Sequence, residues 1–147
     1  MANFVYNVGK GRLAEIVRTG GTLGLLLLKA ADADAILQDL TSIADILANG
    51  NTEEADFTNY GRQTLSALSQ LQDQANDKTL VDANDVVFAS AGGATNNNLT
   101  DAVIFHTPTG VTDDSGRIPI LQLDTVVTTD GNNLTIQFAS GGFFEAV

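Results

Sequence analysis

The last thirty residues constrain the fold of this chain most. Two β-patterned runs, Ile118–Val127 and Leu134–Ala139, flank a turn-rich link containing Asp130-Gly131. Asp-Gly between alternating apolar runs is a hairpin signal, because both residues tolerate the positive φ that a tight turn needs. The two runs are therefore expected to pair with each other. A third apolar run, Gly141 to Val147, follows. A terminal segment this apolar is expected to be tied into a sheet or an interface.

Upstream, short β-patterned runs recur. Arg62–Leu71, Thr79–Val81, Asp85–Ser90 and Leu99–His106 are separated by segments rich in Gly, Asn and Asp. Strands at this spacing point to an antiparallel β-sandwich or a jelly-roll-like barrel. Leu23–Lys29 is a continuous apolar run whose length suits a buried strand better than a full helix, although leucine has no β preference. Residues 1–8 are expected to form an extended arm, with Phe4 and Tyr6 on one side and Val5 on the other.

Helical patterning is confined to the N-terminal third. Leu13, Ile16 and Val17 predict a short helix over residues 9–19, stopped by Gly20-Gly21. Ile36, Leu37, Leu40, Ile43, Ala44 and Leu47 form one apolar stripe, which predicts a single surface helix. Asp32 or Asp34 would cap its start, and Asn49-Gly50 would end it. The whole is one mainly β domain over residues 1–147: an arm (1–8), a helix-containing part (9–50) and a β-rich part (51–147).

Composition narrows the function. The net charge is −11 and there is no cysteine. The charge argues against a nucleic-acid partner, whose phosphates it repels. The lack of cysteine excludes thiolate chemistry and zinc–thiolate sites. The acid is uneven: Lys10, Arg12, Arg18 and Lys29 oppose only Glu15 in residues 1–31. No apolar run approaches the ~18 residues that a membrane-spanning helix requires.

No constellation of catalytic type stands out. His106 is the one histidine and lies at a strand end beside Thr107-Pro108. Asp32, Asp34 and Asp39 fail the EF-hand pattern, because Ile36 and Leu37 stand where Asp and Gly are needed. Gly9-Lys10-Gly11 is followed by Arg12, not by the hydroxyl of a phosphate loop. Glu53-Glu54 and Asp113-Asp114 are sequence neighbours, whose side chains diverge in extended backbone. No catalytic, cofactor-binding or metal-binding residue is assigned, no cofactor is expected, and the expectation is that the protein is not an enzyme.

The order of segments resembles a known set. After the LAEI stretch (13–16) come YGRQTLS (60–66), VDANDVVFAS (81–90), DAVIFH (101–106), PILQLD (119–124) and the run from Thr128 to Phe144. This is similar to small structural virion proteins of tailed bacteriophages, of the capsid decoration (cement) type. It covers most of residues 11–142, with residues 32–50 standing where many relatives have a short acidic loop.

The resemblance implies a protein on the outer surface of the virion capsid. It would bind the major capsid protein and associate with itself, as a homotrimer, without direct contact to nucleic acid or membrane. A minor tail or fibre protein contacting a host receptor is the alternative. Phe4 and Tyr6 in the arm, with Phe143 and Phe144 near the C-terminus, are the candidate contacts with the capsid or with further copies.

Overall fold

The computed structural model describes residues 3–9, 20–139 and 142–146. It is mainly β, with antiparallel sheets and few short helices, in a sandwich-like arrangement. The strands are β1 (Phe4–Val5), β2 (Thr22–Ala30), β3 (Glu53–Glu54), β4 (Gln63–Thr64), β5 (Ser69–Asp73), β6 (Lys78–Asp82), β7 (Val86–Phe88), β8 (Asn98–Thr107), β9 (Ile118–Thr128), β10 (Leu134–Ile136) and β11 (Phe144–Ala146). Two short helices, α1 (Asp34–Leu37) and α2 (Ile43–Ala48), fall between β2 and β3. Residues 7–9 are helical, so the arm is extended only as far as Tyr6; the helix expected over residues 9–19 lies, beyond its first residue, outside the described residues.

The main sheet runs β1-β9-β8-β2-β3, with β4 also paired to β2. Its centre is β2, and both of its faces are covered. Leu23, Leu25 and Leu27 enter one core with Phe57, Phe88, Ile104 and Ile120. Leu26 and Leu28 enter a second core with Tyr6, Leu37, Ile43, Ile46, Val103 and Phe105. Successive residues on a strand point to opposite faces, so a strand with a core on each side needs an unbroken apolar run. That is why leucine occupies Leu25 to Leu28 without alternation. Gly24 sits beneath the ring of Phe105, and a Cβ there would collide with it.

Strand β9 carries two extra residues relative to β8. The register slips between Leu99 and Asp101 and again between Ile104 and Phe105. Such bulges break the strict alternation of faces. Accordingly Ile120 and Leu121, adjacent in sequence, both reach the first core.

The C-terminal third departs from the expected hairpin. β10 does not pair with β9 but with β7, Leu134 facing Phe88 and Ile136 facing Val86. The Asp130-Gly131 turn forms, with Gly131 at φ 95. However, its backbone is bonded elsewhere: Thr129 N–H to Asn97 O, Gly131 N–H to Ala91 O and Ala91 N–H to Asn132 O. The turn therefore carries the chain out of the main sheet to a second small one. The final apolar run is held in a sheet as expected, because β11 pairs with β6, and β6 with β5.

The single helix expected over residues 36–47 is two. α1 ends in tight turns, Asp39 N–H to Ile36 O and Leu40 N–H to Leu37 O. Ser42 is then extended and starts α2 with a capping box. Its hydroxyl accepts from Asp45 N–H at 3.0 Å, and the Asp45 carboxylate accepts from Ser42 N–H at 3.1 Å. The next two amides, of Ile43 and Ala44, donate to Arg117 O and Asp114 O. Those external acceptors, together with the box, outweigh continuation of the first helix. The break also re-aims the apolar stripe: Ile36 is exposed, and Ile46, outside the stripe, is buried. Neither Asp32 nor Asp34 caps α1, whose N-cap is Ala33 with no side-chain bond. Asn49 ends α2 in extended backbone and not at positive φ.

Replacing Ser42 by Ala removes the reciprocal cap and is expected to cost about 1 kcal/mol. A lowered midpoint in urea denaturation, with Ser42→Thr close to the parent, checks this.

Candidate functional site

The predicted contact residues divide between two sheets. Phe4 lies in β1, opposite Gln122 of β9. Tyr6 follows it and has no accessible surface; the two rings tilt together at 5.1 Å. Tyr6 therefore completes the protomer's own second core, while Phe4 stays half-buried beside it. Phe143 is half-buried against the first core, 5.0 Å from the ring of Phe138. Phe144 begins β11, with its backbone opposite Val81. The four residues thus do not form one patch: Phe4 and Tyr6 belong to the main sheet, Phe143 and Phe144 to the region of the three-stranded one.

The residues weighed for catalysis have structural partners. His106 is buried on β8, its Nε2 3.0 Å from Gly20 O. Asp113 closes a tight turn by accepting from Ser115 N–H and Gly116 N–H, and hydrogen bonding with Ser115 holds its carboxyl below the usual carboxylate range. Among the described residues, no three His, Cys, Asp or Glu side chains are grouped to hold a metal ion. No helix among them is long and apolar enough to cross a membrane. The exposed large apolar side chains, Ile36, Leu68, Val87 and Val126, sit on four different segments.

Two polar systems are built into the fold instead. The first centres on Arg62. Its guanidinium grips Glu54 through Nε and Nη2 (both 2.7 Å) and Asp114 through Nη1 and Nη2 (2.6 and 2.9 Å). Arg117 donates to the same Asp114 at 2.6 Å. Tyr60 donates to Glu54 at 2.7 Å while its hydroxyl accepts from Leu27 N–H in β2. Burial pushes the Tyr60 hydroxyl far above the usual phenol range, which keeps it a donor. The Arg62 hydrogen bond, supported by Arg117, holds the Asp114 carboxyl below the usual range. Planar guanidinium–carboxylate forks are directional as well as charged, so this node fixes β3 and the loops bearing Tyr60 and Asp114 against β2.

The second system lies inside the second core. Asp101, Val103 and Phe105 alternate on one face of β8. Asp101 has no accessible surface. Gln122 Nε2 donates to Asp101 Oδ1 at 3.0 Å, and Tyr6 Oη donates to Gln122 Oε1 at 2.8 Å. Asp101 Oδ2 is buried with no hydrogen-bond partner. Burial raises the Asp101 carboxyl; the Thr100 hydroxyl and the Gln122 amide oppose this, and the charges of Asp124 and Asp34 add to it. Burial, and then Asp101 and Asp34, push the Tyr6 hydroxyl far above the phenol range.

Both systems were missed at the level of sequence. Asp101 had a signal, a lone acid inside the apolar run LTDAVIFH. Arg62 had none, because its partners Glu54 and Asp114 are far apart in the chain. No family model, curated protein or solved structure matches the chain.

Two outcomes are expected. Arg62→Ala leaves Glu54 without its cation and Asp114 with Arg117 alone, and costs about 2 kcal/mol in chemical denaturation; Arg62→Lys recovers charge but not the fork. The folded state holds the Asp101 proton more tightly than the unfolded chain does. Its contribution to stability is therefore full at pH below the ordinary carboxylate range and is lost as pH rises through the raised value. Asp101→Asn should accordingly raise the melting temperature at neutral pH and leave it little changed at pH 4, as thermal melts across that range will show.

Proposed function

We propose that the protein is a structural virion protein that decorates the head of a tailed bacteriophage. It lies on the outer surface of the capsid, bound to the major capsid protein and to further copies of itself as a homotrimer. The observation that carries this reading is the resemblance of its segments, in order, to capsid decoration proteins. Those segments are framework: DAVIFH and PILQLD supply most of the apolar part of β8 and the start of β9, and YGRQTLS holds the Arg62 node and β4.

The physical logic of such a role is mass action. A protein that binds only the assembled shell stabilises it, and many copies multiply a modest gain. A specific contact of this kind buries about 1,200–2,000 Å². The surplus of acid keeps a crowded particle surface soluble. Of the candidate contacts, Phe4 and Phe143 retain exposed surface for such an interface, whereas Tyr6 acts by shaping the arm that carries Phe4.

Purified virions test the reading. The protein should co-sediment with heads at hundreds of copies per particle, and heads lacking it should lose DNA at lower temperature. A dozen or fewer copies, located on the tail, would favour receptor contact through the loops at 91–98 and 107–116. Absence from virions would overturn both.

A further inference from the structure

The second core contains a contradiction. A carboxyl group with no accessible surface has one oxygen bonded to Gln122 and the other without a partner. Its cross-strand neighbour, directly opposite in register, is another acid, Asp124. Like charges in that position repel. Among the described residues, the titratable groups acting on Asp101 are Asp124 from β9, Asp34 from α1 and Tyr6 from the arm. None of these three is a cation. Its other strand neighbour is Leu28 of β2, which is apolar.

We propose that Asp101 is a proton-controlled latch on the N-terminal arm, residues 3–9: neutral, it lets the arm stay docked; charged, it drives the arm off the sheet. An ionised carboxylate here draws in water, because Thr100 and Gln122 are its only side-chain hydrogen-bond partners among the described residues and its second oxygen is left without one. Water enters where the cover is weakest. β2, β8 and β9 have nine to eleven residues each and sit in the middle of the sheet. β1 has two residues and lies at its edge.

The arm is also the element chained to the acid. Tyr6 covers Gln122, and Gln122 holds Asp101. Beyond that link, the described backbone attachments of the arm are few: the β1 pairing, Tyr6 N–H to Ile120 O and Asn7 N–H to Gln38 O. Lifting Tyr6 uncovers Gln122, the residue that holds Asp101, without breaking β8 or β9. The raised proton affinity of the buried carboxyl sets where on the pH scale the balance turns.

Amide hydrogen exchange on the full chain between pH 4 and pH 8 tests the latch, with rates corrected for base catalysis. The reporters are the Tyr6 and Asn7 amides, and the references are amides in the β2–β8 ladder. Their protection should fall with rising pH by about tenfold for each unit by which burial raises the Asp101 carboxyl, while the ladder holds. Asp101→Asn should make the reporters flat with pH. Asp124→Asn, a change at an exposed residue, should shrink the fall. Reporters in the parent protein that do not respond to pH overturn the proposal, as does an unchanged fall in Asp101→Asn. If that variant does not fold, an unchanged fall in Asp124→Asn overturns it equally.

Discussion

Everything in this molecule is arranged to cover the pairing of β2 with β8. Seven consecutive residue pairs, from Thr22 facing Thr107 to Leu28 facing Asp101, join the two strands antiparallel. Both faces of this ladder are apolar. Each buried leucine contributes about 1.5–3 kcal/mol, but only where something lies over it. On one side the cover is β7, β10 and the loops bearing Phe57 and Leu65. On the other it is the arm with α1 and α2. The short helices are therefore a lid for a sheet face, and this explains why four and six residues of helix are ordered at lengths far too short to be stable alone.

The two polar systems show opposite solutions to burying charge beside such a core. Around Arg62 each carboxylate meets a guanidinium, and the hydroxyl of Tyr60 ties the node to a β2 amide. Around Asp101 no cation is supplied by the described residues that act on it, so neutrality has to come from a proton. The first system opposes acid and the second opposes base. Stability on the two sides of the pH scale is thus governed by different residues.

How far the sequence discloses this depends on how local each signal is. The apolar run at Leu23–Leu28 announces a buried element and its length favours a strand, but that both faces are covered follows only from the arm and helices that pack on the second one. The strands at Leu99–His106 and Ile118–Val127 are equally plain. The Asp130-Gly131 turn is also real, but a turn does not say which strand is its neighbour. That was decided by Asn97, Ala91 and Phe88, some forty residues earlier in the chain. Similarly, the apolar stripe over residues 36–47 is a helix signal that Ser42 interrupts, and the S-x-x-D spacing of its cap is visible only once the break is suspected. The Arg62 node, assembled from Glu54 and Asp114, leaves no local trace at all.

The separation between β2 and β8 also has a consequence for synthesis. β2 leaves the ribosome well before the strand that covers its length, which begins only at Asn98. For roughly seventy residues of elongation the stretch Leu23–Leu28 lacks its β8 partner, and at about 5–20 residues per second that wait lasts some seconds. A short, apolar, uncharged segment left open in this way is the kind that adds to copies of itself. β3 and β4, two residues each, pair with β2 in the final fold and emerge well before β8. Small as they are, they are the described strands that can cover one edge of that segment before β8 is made, a role out of proportion to their weight in the finished sheet.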